Sequence, residues 1–223
     1  MISVLVLTLN EEENIAECLA SVEWTEDVLV LDSGSTDRTV ELAREHGARV
    51  MHREFDSFAD QRNYGLRKGN LSTDWVLHLD ADERVTPSLR DELHRVAEEE
   101  RYDAFRVPSK LMLHGRWLKH AGMYPTYQIR FGRRDALTFK QVGHGQRGDL
   151  EENQIGTLSE PLLHHAFSKG LSHWFERHNR YATDEARHAV DLISASNARW
   201  TDLFNGSRQQ RRRGRSHFWH GRP

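Results

Sequence analysis

Residues 2–9, ISVLVLTL, form a nearly unbroken apolar run rich in β-branched side chains. A run with no polar face predicts a strand buried on both sides. The period then changes. In NEEENIAECLASV, Ile15, Leu19 and Val22 fall on one helical face, Asn10 stands where a cap belongs, and acids fill the first turn. DVLVLD (27–32) reads as a second buried strand, and SGSTDRTVELAREHG as a turn and a helix closed by Gly47. ARVMHR predicts a short third strand, SFADQRNYGLRKG a helix ending at Gly69, and DWVLHLD a fourth strand. TPSLRDELHRVAEEE predicts a helix with Pro87 near its start. Strand alternates with helix across the first hundred residues. This predicts an α/β fold with a mostly parallel central sheet flanked by helices, and binding residues at the C-terminal strand ends.

After Arg101 the rhythm breaks. YDAFRVPSKLMLHG and TYQIRFGRRDALTFK have strand or hairpin character, VGHGQRGDLEENQIG reads as a polar loop, and LSEPLLHHAF as a short strand. SHWFERHNRYATDEARHAV predicts a long amphipathic helix, a C-terminal helical extension of the fold. The expected organisation is one domain over 1–190, with halves 1–101 and 102–190, followed by a basic tail over 191–223.

Composition narrows the class. With 223 residues the chain is long enough to bury a real core. Apolar residues at 37% and charged residues at 29% suit a globular protein, and a net charge of −3 gives no basic field for nucleic acid. The single cysteine, Cys18, rules out an intramolecular disulfide framework and favours a cytoplasmic setting. The first residues lack the basic segment of a signal peptide, and no apolar run is long enough to span a bilayer. The tail SRQQRRRGRSHFWHGRP holds six arginines. It reads either as a solvated tail or as a contact with anionic lipid on the cytoplasmic face of the inner membrane, with Phe218 and Trp219 as anchors.

The chemistry lies at three strand ends. The first strand delivers TLNEEE, the second LDSGSTD and the fourth LDADE. In a parallel sheet these share one edge, so Thr8, Asn10, Glu11, Asp32, Ser33, Ser35, Asp80 and Asp82 converge. Adjacent carboxylates repel one another and resist burial, so Asp80, Asp82 and Glu83 need a counter-charge. No glycine-rich phosphate loop is present. A hard divalent cation such as Mg2+ or Mn2+, held by Asp80 and Asp82 and bridging phosphates, would supply the charge. The bland alternatives are a helix cap and solvated turn for the two aspartates, and a surface charge for Arg62.

Taken together, VLTLNEEENIAECLASV, VLVLDSGSTDRTVELA, FADQRNYGL and WVLHLDADERV resemble family 2 glycosyltransferases of the GT-A fold, most of all the branch that adds glucose to the lipopolysaccharide or lipooligosaccharide core. The resemblance covers about residues 1–190. It implies transfer of a hexose such as glucose, with inversion, from a nucleoside-diphosphate sugar (a UDP-sugar foremost) to a lipopolysaccharide-core or other lipid-linked glycan. Carried over, Thr8, Asn10 and Glu11 hold the nucleoside. Asp32 and Ser33 stand where the family has Asp-Asp, and Arg62 reaches base or diphosphate. Asp80 lies near the ribose, Asp82 is the direct metal ligand, and His164 completes the metal shell.

Inversion also needs a carboxylate to deprotonate the acceptor. The related branch places an acid just after a histidine, but here Gly145 follows His144. The expectation falls on Asp149, with Glu151 and Glu152 nearby. Trp117 and Tyr124 are the better candidates for a sugar platform, against simple packing. Two rival readings remain: a nucleotidyltransferase, which would need a lysine- and glycine-bearing phosphate loop, and a non-catalytic nucleotide-sugar-binding homologue.

Overall fold

The computed structural model describes residues 1–121, 124–142 and 145–195. The first half alternates as its pattern predicts: β1 (Ile2–Thr8), α1 (Ile15–Ala20), β2 (Val28–Asp32), α2 (Thr39–Glu45), β3 (Arg49–His52), α3 (Phe58–Lys68) and β4 (Trp75–Asp80). A two-residue strand β5 (Glu83–Arg84) and helix α4 (Pro87–Glu99) come next. The second half contains β6 (Ala104–Leu113), β7 (Arg116–Trp117), β8 (Thr126–Arg133), β9 (Phe139–Val142), β10 (Gly145–Gly148), β11 (Ile155–Thr157), β12 (Leu162–His164) and α5 (Gly170–Ala195).

Ten of these strands form one sheet, ordered β3-β2-β1-β4-β8-β6-β12-β5, with β7 and β11 also paired to β6. Strands β3, β2, β1 and β4 are mutually parallel, and β8 runs antiparallel to both β4 and β6. The predominantly apolar β1 and β2 are buried at every position, because helices cover both faces. Ile15, Leu19, Ala43, Leu89 and Leu93 from α1, α2 and α4 pack on one face. Ala59 and Leu66 from α3 pack on the other, with Phe139 from β9.

The topology forces a curl. Only Ala81 and Asp82 separate β4 from β5 in sequence, yet β8, β6 and β12 lie between them in the sheet. The sheet must therefore bend back until its last strand meets the DADE turn. The closing seam pairs Leu163 with Arg84 and His164 with Glu83.

Two expectations are corrected. Asn10 does not cap α1; the cap position is Asn14, after a turn in which the Ile15 amide donates to the Glu11 carbonyl. Asn10 instead takes a left-handed conformation (φ 54°), which asparagine tolerates, and ties two loops together. The polar stretch 142–156 is not a single loop. It holds the β9–β10 hairpin, a short 3-10 turn and β11. The hairpin hides in sequence because its ordering comes from outside it: Asn63 of α3 accepts from the Phe139 amide and donates to its carbonyl. The helix α5 runs past 190 to Ala195, while the arginine-rich tail and His144 lie outside the described residues.

Candidate active site

The site begins with a buried charge cluster at the end of β4. Alternation turns Val76, His78 and Asp80 towards α3. Ser57 caps that helix, accepting from the Asp60 amide at 3.1 Å. Gly65 lets it lie close on β1, since a Cβ there would stand 2.5 Å from Leu5. One turn earlier, Arg62 is therefore buried against the strand end, and its Nη2 donates to Asp80 Oδ1 at 2.6 Å. Arg130 of β8 donates to Asp80 Oδ2 at 2.6 Å and to Glu83 Oε1 at 2.7 Å. Glu83 Oε2 in turn accepts from the Asp80 amide. Burial works against the Asp80 charge, but the Arg130 and Arg62 guanidiniums hold its carboxyl far below the usual range. Burial, with Asp80 adding to it, pushes Glu83 up, against the pull of Arg130. Burial also draws the Arg62 guanidinium down to about 10, against the field of Asp80.

Beside this cluster lies the seam. Asp82 projects from the β4–β5 turn and His164 from β12, with Nε2 3.3 Å from Oδ2. Arg177 of α5 stands 3.8 Å from the same oxygen. Burial disfavours the charged imidazole, but Asp82 outweighs it and raises His164 to about 9. The pairing likewise holds Asp82 below its ordinary value despite burial.

The loops after β1 and β2 complete the edge. Asp32 is buried and accepts from Thr8 Oγ1 (3.2 Å), the Gly34 amide (2.9 Å), and Ser35 through its amide (3.0 Å) and hydroxyl (2.5 Å). Against burial, these donors lower its pKa. Ser33 Oγ accepts from Gln61 Nε2 at 2.9 Å. Asn10 Oδ1 accepts from the Thr36 amide at 2.8 Å, while its own amide donates to Ser35 Oγ. Glu11 meets Lys169, which leads into α5, at 2.6 Å. Burial raises Glu11 even so, against Lys169 and Asn14.

Thr8, Asn10, Glu11, Asp32, Ser33, Arg62, Asp80, Asp82 and His164 thus gather at one sheet edge. Asp149 does not join them. Its amide donates to the Thr138 carbonyl and its carboxylate pairs with Lys140 at 2.8 Å, at the base of the hairpin. Glu151 caps the 3-10 turn, and Glu152 takes Arg106 through both oxygens, beside the start of β6. Three contributors were missed: Arg130, Lys169 and Arg177. For Arg130 a signal existed, because an arginine flanked by Ile129 and Phe131 in a strand, when buried with them, demands a buried anion. Lys169 and Arg177 carry no such mark, since their partners lie on the far half of the chain.

The donor set fits a divalent cation sparingly. Asp82 and His164 together offer one oxygen and one nitrogen face, and Mg2+ or Mn2+ commonly takes few protein ligands with waters and phosphates for the rest. Both Asp80 oxygens are already engaged by arginines. Among the described residues no three His, Cys, Asp or Glu side chains form a closed metal cage.

A family model, Glycosyl transferase family 2, matches residues 3–146. An uncharacterized glycosyltransferase of Rickettsia typhi is 34% identical over 118 residues, which is 51% of this chain and 40% of the relative. The chain thus spans well under two thirds of that relative's length. The lipopolysaccharide core biosynthesis glycosyltransferase LpsC of Rhizobium meliloti is 25% identical over 85% of this chain and 72% of its own. Among solved structures, glucosyl-3-phosphoglycerate synthase of Mycobacterium tuberculosis, in complex with Mn2+, uridine diphosphate and glucosyl-3-phosphoglycerate, superposes with a TM-score of 0.58 at 19% identity. That match covers 91% of this chain and 82% of the synthase. The fold is therefore GT-A, and the matched span contains every gathered residue except His164. On the family model, over well more than half of its length, the chain belongs to glycosyl transferase family 2.

Proposed function

We propose that the chain is a metal-dependent inverting glycosyltransferase. It moves a hexose such as glucose from a UDP-sugar to a lipopolysaccharide-core or other lipid-linked glycan, at the cytoplasmic face of the inner membrane. The observation that carries this reading is the meeting of Asp82 with His164 beside the Asp80–Arg62–Arg130 cluster, at the edge where the β1 and β2 loops also end. The likeness to LpsC supports the acceptor class. The described residues contain no helix long and apolar enough to cross a membrane.

In this reading Thr8, Asn10, Glu11, Asp32 and Ser33 line the nucleoside pocket, and Arg62 and Asp80 stand between nucleoside and diphosphate. Asp82 and His164 would hold the cation, which supplies positive charge to the leaving diphosphate. The chain's own part is to fix donor and acceptor in line and exclude water while a carboxylate takes the acceptor proton. A thermal-shift screen of UDP-, GDP-, ADP- and dTDP-sugars, with Mn2+ or with EDTA, tests the reading, because a ligand of the native state stabilises it. Selective, Mn2+-dependent stabilisation by one nucleotide class is expected. Stabilisation by none of them would overturn it.

A further inference from the structure

The β6–β7 hairpin carries a cluster that the donor site does not use. Lys110 Nζ lies 4.7 Å from the Trp117 ring centroid and 6.0 Å from that of Tyr124. Lys119 Nζ lies 5.8 Å from the Trp117 ring. Trp117 and Tyr124 meet edge to face, with centroids 4.9 Å apart. The indole Nε1 of Trp117 is buried and donates to nothing among the described residues. A buried N–H without an acceptor is costly, and native structures seldom leave one so. Neither lysine has a carboxylate partner among the described residues. Glu160, near enough to act on Tyr124, pairs with neither of them.

Two ammonium groups and an indole N–H are donors only, so together they suit an oxyanion. The ammonium groups also occupy the aromatic faces, which argues against a stacking platform for a neutral ring. The cluster stands near the seam: Lys110 pairs in register with Leu163, the residue before His164. The hairpin also borders a cavity of about 200 Å³ lined by Met112, His114, His165 and Phe167.

We propose that Lys110, Lys119 and Trp117 form an acceptor subsite for a sugar bearing a carboxylate or phosphate, a proposal that rests on the glycosyl-transfer reading above. The anion is held by the two ammonium groups and the indole N–H, and its sugar ring extends towards the Asp82–His164 seam.

The test tracks the indole N–H resonance of Trp117 in the full chain, assigned by its loss in Trp117→Phe. A methyl hexuronide, a hexose phosphate and a neutral methyl hexoside are titrated separately, with and without UDP and Mn2+. Both anionic sugars, or one of them, should shift the signal saturably, and the stronger of the two identifies carboxylate or phosphate. The neutral sugar should bind about tenfold more weakly or worse. Lys110→Gln should weaken the anionic sugars by a similar factor, Lys110→Arg should retain most of the affinity, and UDP binding should stay unchanged in both. The exposed Lys119→Gln gives a second reading if Lys110→Gln folds poorly. No saturable shift with any sugar, equal binding of the neutral sugar, or glutamine variants that bind like wild type would each overturn the subsite. Failure of UDP with Mn2+ to bind the wild type would instead strike the glycosyl-transfer reading, and the titrations without UDP still decide the subsite.

Discussion

Arg62 and Asp80, eighteen residues apart, meet in a buried ion pair with Nη2 2.6 Å from Oδ1, and Arg130 takes the other carboxylate oxygen. The two aspartates of LDADE therefore have different tasks. Asp80 neutralises buried guanidiniums, whereas Asp82 among the described residues faces His164 and the more distant Arg177.

That difference predicts opposite phenotypes. Asp80→Asn leaves the buried Arg62 without its anion and Arg130 with Glu83 alone, and should destabilise the fold by about 3–5 kcal/mol. Asp82→Asn should leave stability nearly intact while abolishing the Mn2+-dependent part of UDP binding. Urea denaturation and calorimetric titration of the two variants check this. Equal loss of stability in both would contradict the division.

Asp27 offers a pH test away from the site. It is 14% exposed and accepts from Ser3 Oγ (2.5 Å), the Ser72 amide and hydroxyl (2.7 and 2.8 Å) and Arg49 (2.8 Å). Burial opposes the charge, but these donors bring its pKa down to about 2. A depressed carboxylate stabilises the fold fully above its unfolded value and loses that contribution as pH falls through the folded value. Asp27→Asn should cost about 1–2 kcal/mol at neutral pH. The gap from wild type should close as pH drops from about 4 towards 2. Denaturation curves at several pH values measure it, and a pH-independent gap would refute the assignment.

Glu11 and Lys169 join the β1 loop to the segment that enters α5. Lys169→Met should leave the half-buried Glu11 carboxylate without a cation, held by Asn14 alone, weaken UDP binding and speed hydrogen exchange over residues 166–180. Exchange at the wild-type rate would show that the pair does not hold the segment.

Asp149 provides a test at the base of the β9–β10 hairpin. Its contacts are to Lys140 and Thr138, so Asp149→Asn should retain near-normal turnover. A loss of about 10²–10⁴-fold would make it the general base after all, carried to the acceptor by movement of the hairpin.

Much of the N-terminal half was legible because parallel strands buried on both faces write themselves as apolar runs. β1, β2 and β4 fall where ISVLVLTL, VLVLD and WVLHLD place them. Convergence of their ends came from topology alone. The illegible parts depend on partners distant in sequence. The β9–β10 hairpin alternates poorly and is ordered by Asn63. Arg130 finds its anions 50 and 47 residues back. Asn10 resembles a cap but serves as a loop tie, a distinction set by one backbone angle.

The seam between β5 and β12 bears on the life of the nascent chain. His164 reaches Asp82 across 82 residues, after the sheet has curled back on itself. Such long-range closure comes late in folding. While the ribosome is still making the second half, the nucleoside loops are already present, and the buried arginine cluster lacks only Arg130 of β8. The His164 side of the cation site does not yet exist. Synthesis itself thus delays assembly of the Asp82–His164 site until β12 has emerged and docked.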